Sequence, residues 1–148
     1  YGALLDYFLD RKVNCRYQGY DIAGEMISAA SARHKGVPNA SFTIAAEPTE
    51  TADYGIASGI SNVKQHRTDE EWKIHLVETL DKMAATSRQG FAFNCLTSYS
   101  DPPKMREDLF YADPCGLFDV CKRKYSRNVA LLHDYGLYEF TMLVRHTR

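Results

Sequence analysis

Asp21 closes an aromatic-rich segment, Cys15 to Asp21, and stands at the head of an amphipathic one. An acid at the carboxyl end of a strand can accept hydrogen bonds from both hydroxyls of a ribose, and Ile22 behind it can offer an apolar face to a purine ring. Ligands of open parallel sheets bind beyond the carboxyl ends of the strands, so the residues after each candidate strand carry most of the information. Those residues are Gly2, Asp21, Glu47, Ser58, Asn94 and His133. Gly2 stands directly before a helix, where backbone N–H groups converge on an anion. Asp21 is equally suited to cap the helix that follows it, and the two roles are compatible.

The remaining polar candidates point to ordinary structure. His133-Asp134 at a strand end reads as a turn rather than an acid–base pair, and His66 sits in a basic loop, Lys64 to Arg67, that reads as solvated surface. His75 is spaced to meet Glu71 or Glu78 on one helix face. Cys15, Cys95, Cys115 and Cys121 contain no C-x-x-C pair and, with the five histidines, no zinc-like spacing. Reduced thiols are therefore expected, with neither a disulfide framework nor a bound metal. No residue declares itself as catalytic.

The elements that must position these residues come from one chain of modest size. With 148 residues, a formal charge of −1 and 45% hydrophobic residues, residues 1–148 are expected to form a single domain. The near-neutral balance argues against a chain whose main task is to neutralise a nucleic-acid backbone. No apolar run reaches membrane-spanning length and no targeting signal is readable, so a cytoplasmic location is expected. Tyr1-Gly2 running at once into the amphipathic stretch Ala3 to Arg11 reads as a loop entering its helix, as if the chain were cut at that end.

After that helix the periodicity predicts a strand at Cys15 to Asp21, a helix at Glu25 to His34, and strands at Ser41 to Ala45 and Asp53 to Ser58. Thr68-Asp69-Glu70-Glu71 spells a capping box, opening a helix with Trp72, Leu76, Leu80 and Met83 on one stripe and an end near Ser87. A buried-type strand at Gly90 to Leu96 follows, then an irregular stretch and a helix between Pro114 and Lys124. Strands at Arg127 to His133 and Tyr138 to Val144 are separated by only four residues. That connection is too short for a crossover helix, so the last pair must be antiparallel.

This arrangement resembles a class I S-adenosylmethionine-dependent methyltransferase. Tyr1-Gly2 looks like the last two residues of the family's glycine-rich loop, Asp21 matches its ribose-binding acid, and Ile22 matches the residue beside the adenine. The likeness continues through D-Y-G-I-A-S-G-I at Asp53 to Ile60, F-N-C-L at Phe93 to Leu96 and the closing hairpin. It implies an α/β, Rossmann-like methyltransferase sheet, mostly parallel with an antiparallel C-terminal hairpin and with the first strand missing. S-adenosylmethionine is the implied cofactor, and the acceptor is an O, N or C nucleophile on a small molecule or protein. Ser58 and Gly59 would lie beside the methionine part of the cofactor. Glu47 would meet the adenine amino group if its loop shifts by one residue. Tyr99, Tyr111 and Asp113 fall where the family often builds its acceptor pocket, or else pack locally.

Two other readings compete. A nucleotide-binding oxidoreductase would need a hydride acceptor site and a parallel final crossover, which the sequence does not offer. A non-catalytic remnant follows if the first strand is absent. That strand normally lies between the second and the fourth, so its loss would leave its neighbours about 10 Å apart with unpaired ladders. Taken alone, the 148-residue segment is then expected to bind S-adenosylmethionine weakly or not at all.

Overall fold

In a computed structural model, residues 2–146 are described. Tyr1, read above with Gly2 as the end of a glycine loop, lies outside the described residues. Contacts divide the chain between Thr49 and Glu50 into two compact units.

The first unit runs α1 (Ala3–Asp10), β1 (Tyr17–Asp21), α2 (Gly24–Arg33) and β2 (Ala40–Ile44). β1 and β2 pair in parallel from Tyr17 opposite Ala40 to Asp21 opposite Ile44, and α2 is the crossover between them. The start of α1 depends on Gly2. Its φ of 72° is in the left-handed region, and a Cβ there would stand 2.7 Å from Nε2 of His34. The Gly2 carbonyl accepts the Leu5 N–H (2.9 Å), and the His34 Nε2 lies 3.2 Å from the same oxygen. His34 is buried and its ring stacks on Phe42, centroids 5.6 Å apart, so one side chain joins the end of α2 to the head of α1 and to β2.

The second unit runs β3 (Ala52–Ala57), α3 (Asp69–Thr86), β4 (Ser87–Leu96), a short 3₁₀ turn (Pro102–Lys104), α4 (Pro114–Lys124), β5 (Asn128–Leu132) and β6 (Glu139–Arg145). Its sheet has the order β3-β4-β6-β5. β3 is parallel to β4, while β6 lies antiparallel to β4 on one side and to β5 on the other. The antiparallel last pair required by the short connection is present, and β6 is inserted between β4 and β5. Among the described residues the ladders form two sheets, of two and of four strands.

Alternation builds the larger core. Phe91, Phe93 and Cys95 of β4 and Phe140, Met142 and Val144 of β6 point to one face, where the α3 stripe Trp72, Leu76, Leu80 and Met83 meets them. The Trp72 indole N–H donates to the Ser61 carbonyl (2.7 Å), tying that stripe to the loop after β3. The capping box is formed: Thr68 Oγ1 accepts the Glu71 N–H (3.2 Å) and Glu71 accepts the Thr68 N–H (2.9 Å). β4 begins three residues earlier than the sequence predicts. Ser87 has φ −119° and ψ 110°, so the residue that ends α3 is already extended and no loop intervenes. Among the described residues no helix is long and apolar enough to cross a membrane.

Candidate functional site

In the first unit, Asp21 and Ile22 stand at the carboxyl end of β1, next to the end of β2. Asp21 is not the N-cap of α2; that position is Ala23, which has no side chain able to cap. Instead Asp21 Oδ1 accepts the Ala23 N–H (2.9 Å) in a tight local turn, and its carbonyl accepts the Ala45 N–H (3.0 Å). The carboxylate is therefore held at the strand end by one of its two oxygens. Ile22 is 75% exposed, a large apolar side chain with an uncovered face. Glu47 is exposed in the bend three residues after β2 ends. Gly2 supplies the first turn of α1.

Ser58 and Gly59 belong to the second unit and follow β3, both exposed. Gly59 has φ 72°, and its N–H donates to Asn94 Oδ1 (2.7 Å). Asn94 Nδ2 in turn donates to Glu139 Oε2 (2.9 Å), the first residue of β6. The loop after β3 is fastened again at Asn62, whose Oδ1 accepts the Leu96 N–H (3.2 Å) and whose carbonyl accepts the Phe110 N–H (2.8 Å). The sequence reading puts Asn94 just after a strand, whereas it lies inside β4, which continues to Leu96, and nothing in the sequence points to Glu139. The two are far apart in the chain, and only the β4–β6 register, Leu96 opposite Glu139, brings them together.

Beyond the end of β4, Lys104 Nζ donates to Tyr138 Oη (2.6 Å), and Tyr138 Oη donates to Asp101. The Tyr138 hydroxyl, and then Lys104, hold the Asp101 carboxyl below the usual carboxylate range. The same hydroxyl, followed by Asp101, raises Lys104. Tyr99 is 70% exposed and packs beside His133, centroids 5.9 Å apart. His133 also meets Phe140 in a T-shaped pair, centroids 6.1 Å apart, so its described contacts are ring contacts rather than an ion pair with Asp134. Asp113 is the N-cap of α4, accepting the Cys115 N–H (3.0 Å), and Tyr111 Oη accepts the Arg106 N–H (3.0 Å). These two are engaged in local structure.

An open cavity of about 840 Å³ is lined by Gln65, His66, Arg67, Glu107 and Asp108. His66 is exposed at this open surface, as its basic loop reads in the sequence, and Asp108 there is bound by Arg106 through two hydrogen bonds (2.9 and 2.6 Å). His75 lies against the Trp72 ring, centroids 4.9 Å apart, instead of meeting Glu71 or Glu78. Cys95 and Cys121 are fully buried, and burial pushes both thiols up to about 12; Cys115 is exposed and Cys15 half-buried. Among the described residues no three His, Cys, Asp or Glu side chains form a metal-holding group.

The chain is 59% identical over 145 residues to the Mycobacterium tuberculosis protein named "Putative methyltransferase Rv1506c", an alignment covering 98% of this chain and 87% of that protein. Crystal structures of magnesium protoporphyrin IX methyltransferase from Synechocystis PCC 6803 share its fold. The form with bound S-adenosylmethionine aligns with a TM-score of 0.62 and the form with bound S-adenosylhomocysteine with 0.66, both at 10% identity. Those alignments cover 92% of this chain but 62% and 66% of the solved chains, so it spans slightly under two thirds of their length. The Pnkp1/Rnl/Hen1 RNA repair complex contains a similar fold, with a TM-score of 0.63 at 13% identity over 96% of this chain and 35% of that one. No protein-family model matches the chain.

Proposed function

The chain belongs to the methyltransferase family, and from that premise we propose that it moves the methyl group of S-adenosylmethionine to an O, N or C nucleophile on a small molecule or protein by in-line displacement. The observation that carries this reading is topological. A parallel β3–β4 pair is completed by an antiparallel β6 inserted before β5. This arrangement supports a methyltransferase over a nicotinamide-dependent oxidoreductase, which would complete its sheet with a parallel crossover.

The strand-end residues fit the cofactor. Asp21 is fixed through one oxygen and accepts ribose hydroxyls; Ile22 lays its uncovered side chain against the adenine. Glu47 accepts from the adenine amino group, and Gly2, whose missing Cβ makes room for His34, sets the head of α1 where backbone N–H groups can meet the ligand. In the second unit Ser58 and Gly59 lie beside the methionine part, where the absence of bulk lets an acceptor come close. When bound, S-adenosylmethionine supplies a methyl group already activated by its sulfonium, so the protein need only orient the reactants and exclude water.

A thermal melt with S-adenosylhomocysteine and, separately, with NAD tests the reading. Ligand at about 100 times its dissociation constant stabilises a fold by about 2.7 kcal/mol. An upward shift with S-adenosylhomocysteine and none with NAD is the outcome this reading predicts, whereas no shift with either is the outcome expected of a non-catalytic remnant. A shift with NAD alone would point to the oxidoreductase.

A further inference from the structure

The Asn94 side chain is a polarity-sensitive joint between two backbone segments. Its oxygen receives the Gly59 N–H at 2.7 Å and its nitrogen donates to Glu139 at 2.9 Å. An ionised carboxylate only accepts, so Glu139 decides which end of the amide faces Gly59. Reversal would set N–H against N–H on one side and oxygen against carboxylate on the other. Gly59 is itself in a left-handed conformation that residues with a Cβ rarely adopt, so the direction of its N–H is a specified feature of the turn. Asn62 holds the far end of the same loop to β4 and to Phe110, and Ser61 between them accepts from Trp72, so the turn is fastened on both sides.

We propose that Asn94, oriented by Glu139, is a positioning residue for the methionine part of the cofactor. It acts through the Gly59 backbone, holding the Ser58–Gly59 turn where the amino-acid portion of the ligand would lie. The inference rests on the reading that S-adenosylmethionine is the cofactor and that this turn flanks its methionine part. It adds that the first residue of β6 sets that turn through one side chain.

The polarity of the joint supplies the test. Asn94→Asp keeps an oxygen for Gly59 but sets a carboxylate against Glu139. Glu139→Gln alone keeps an acceptor oxygen, and in the double variant its amide donates to the new carboxylate and restores the chain of hydrogen bonds. The ligands are S-adenosylhomocysteine and 5′-methylthioadenosine, which lacks the amino-acid portion, titrated calorimetrically into the 148-residue chain. Asn94→Asp is expected to weaken S-adenosylhomocysteine about tenfold or more while 5′-methylthioadenosine stays within about twofold, and the double variant to recover most of the loss. Parallel weakening of both ligands, no change in either, or failure of the double variant to recover overturns the positioning role. A wild-type chain that binds no S-adenosylhomocysteine overturns the cofactor reading itself, a result distinct from these.

Discussion

The two units differ in how much of themselves they bury. The second packs α3 and α4 on one face of four strands, with Leu76, Leu80, Cys95, Phe140, Met142 and Val144 at 1% exposure or less. In the first, the buried residues among those described are Leu5, Ala30 and His34, and the sheet has two strands. Two strands give marginal stability unless helices cover a hydrophobic face. The residues proposed for the nucleoside part of the cofactor, Asp21, Ile22 and Glu47, lie on the lightly packed unit, and Ser58 and Gly59, proposed for its methionine part, on the well-packed one. Opening free energies vary across a structure, and ligand-binding segments are commonly drawn from the low end.

The contrast is broken most severely from the strong side. Phe140→Ala removes a ring that is 0% exposed from the central antiparallel strand and is expected to cost about 3–5 kcal/mol in urea unfolding monitored by tryptophan fluorescence. Trp72 lies in that core and reports on it directly. On the weak side, Gly2→Ala forces a Cβ into a left-handed backbone and against His34, and is expected to cost about 1–3 kcal/mol. That loss should appear as faster amide exchange in α1 and α2, with β4 and β6 unchanged; equal loss in both units would contradict the contrast.

A smaller effect is expected at the capping box. Thr68→Ala removes the acceptor for the Glu71 N–H and should lower the melting temperature of the second unit by the equivalent of about 0.5–2 kcal/mol. The acid limb is smaller still. Asp81 is held below the usual carboxylate range by Lys124 and then Tyr125, and Asp53 by Arg88 and then Gln89. Because these folded-state values are depressed, their stabilising contributions are complete above about pH 4 and are lost as pH falls through the lower folded values. Asp81→Asn should thus cost about 0.2–1 kcal/mol at pH 7 and flatten the decline of the melting temperature below pH 4, with both effects reduced by salt.

Legibility in the sequence followed the range of the interactions. The Thr68–Glu71 box, the α3 stripe and the antiparallel sense of β5 and β6 all follow from spacings within about twenty residues, and all are present. The insertion of β6 between β4 and β5 depends on which strand edges meet after folding, and no local pattern carries it. For the same reason Glu139 was invisible as the partner of Asn94. His34 read as the last residue of a helix, whereas its ring packs on Phe42 and approaches Gly2, a packing decided by residues distant in the chain. Asp21 was legible as a strand-end acid; only the backbone geometry shows that it turns onto Ala23 instead of capping α2.

Amide hydrogen exchange with and without saturating S-adenosylhomocysteine tests most directly the claim that the residues proposed to bind the nucleoside lie on the less stable unit. Without ligand, β1 and β2 should exchange much faster than β4 and β6. With S-adenosylhomocysteine, protection should rise chiefly in α1, β1 and β2, and NAD should have no such effect. Equal protection of the two units without ligand, or protection gained only in the second, would contradict the account.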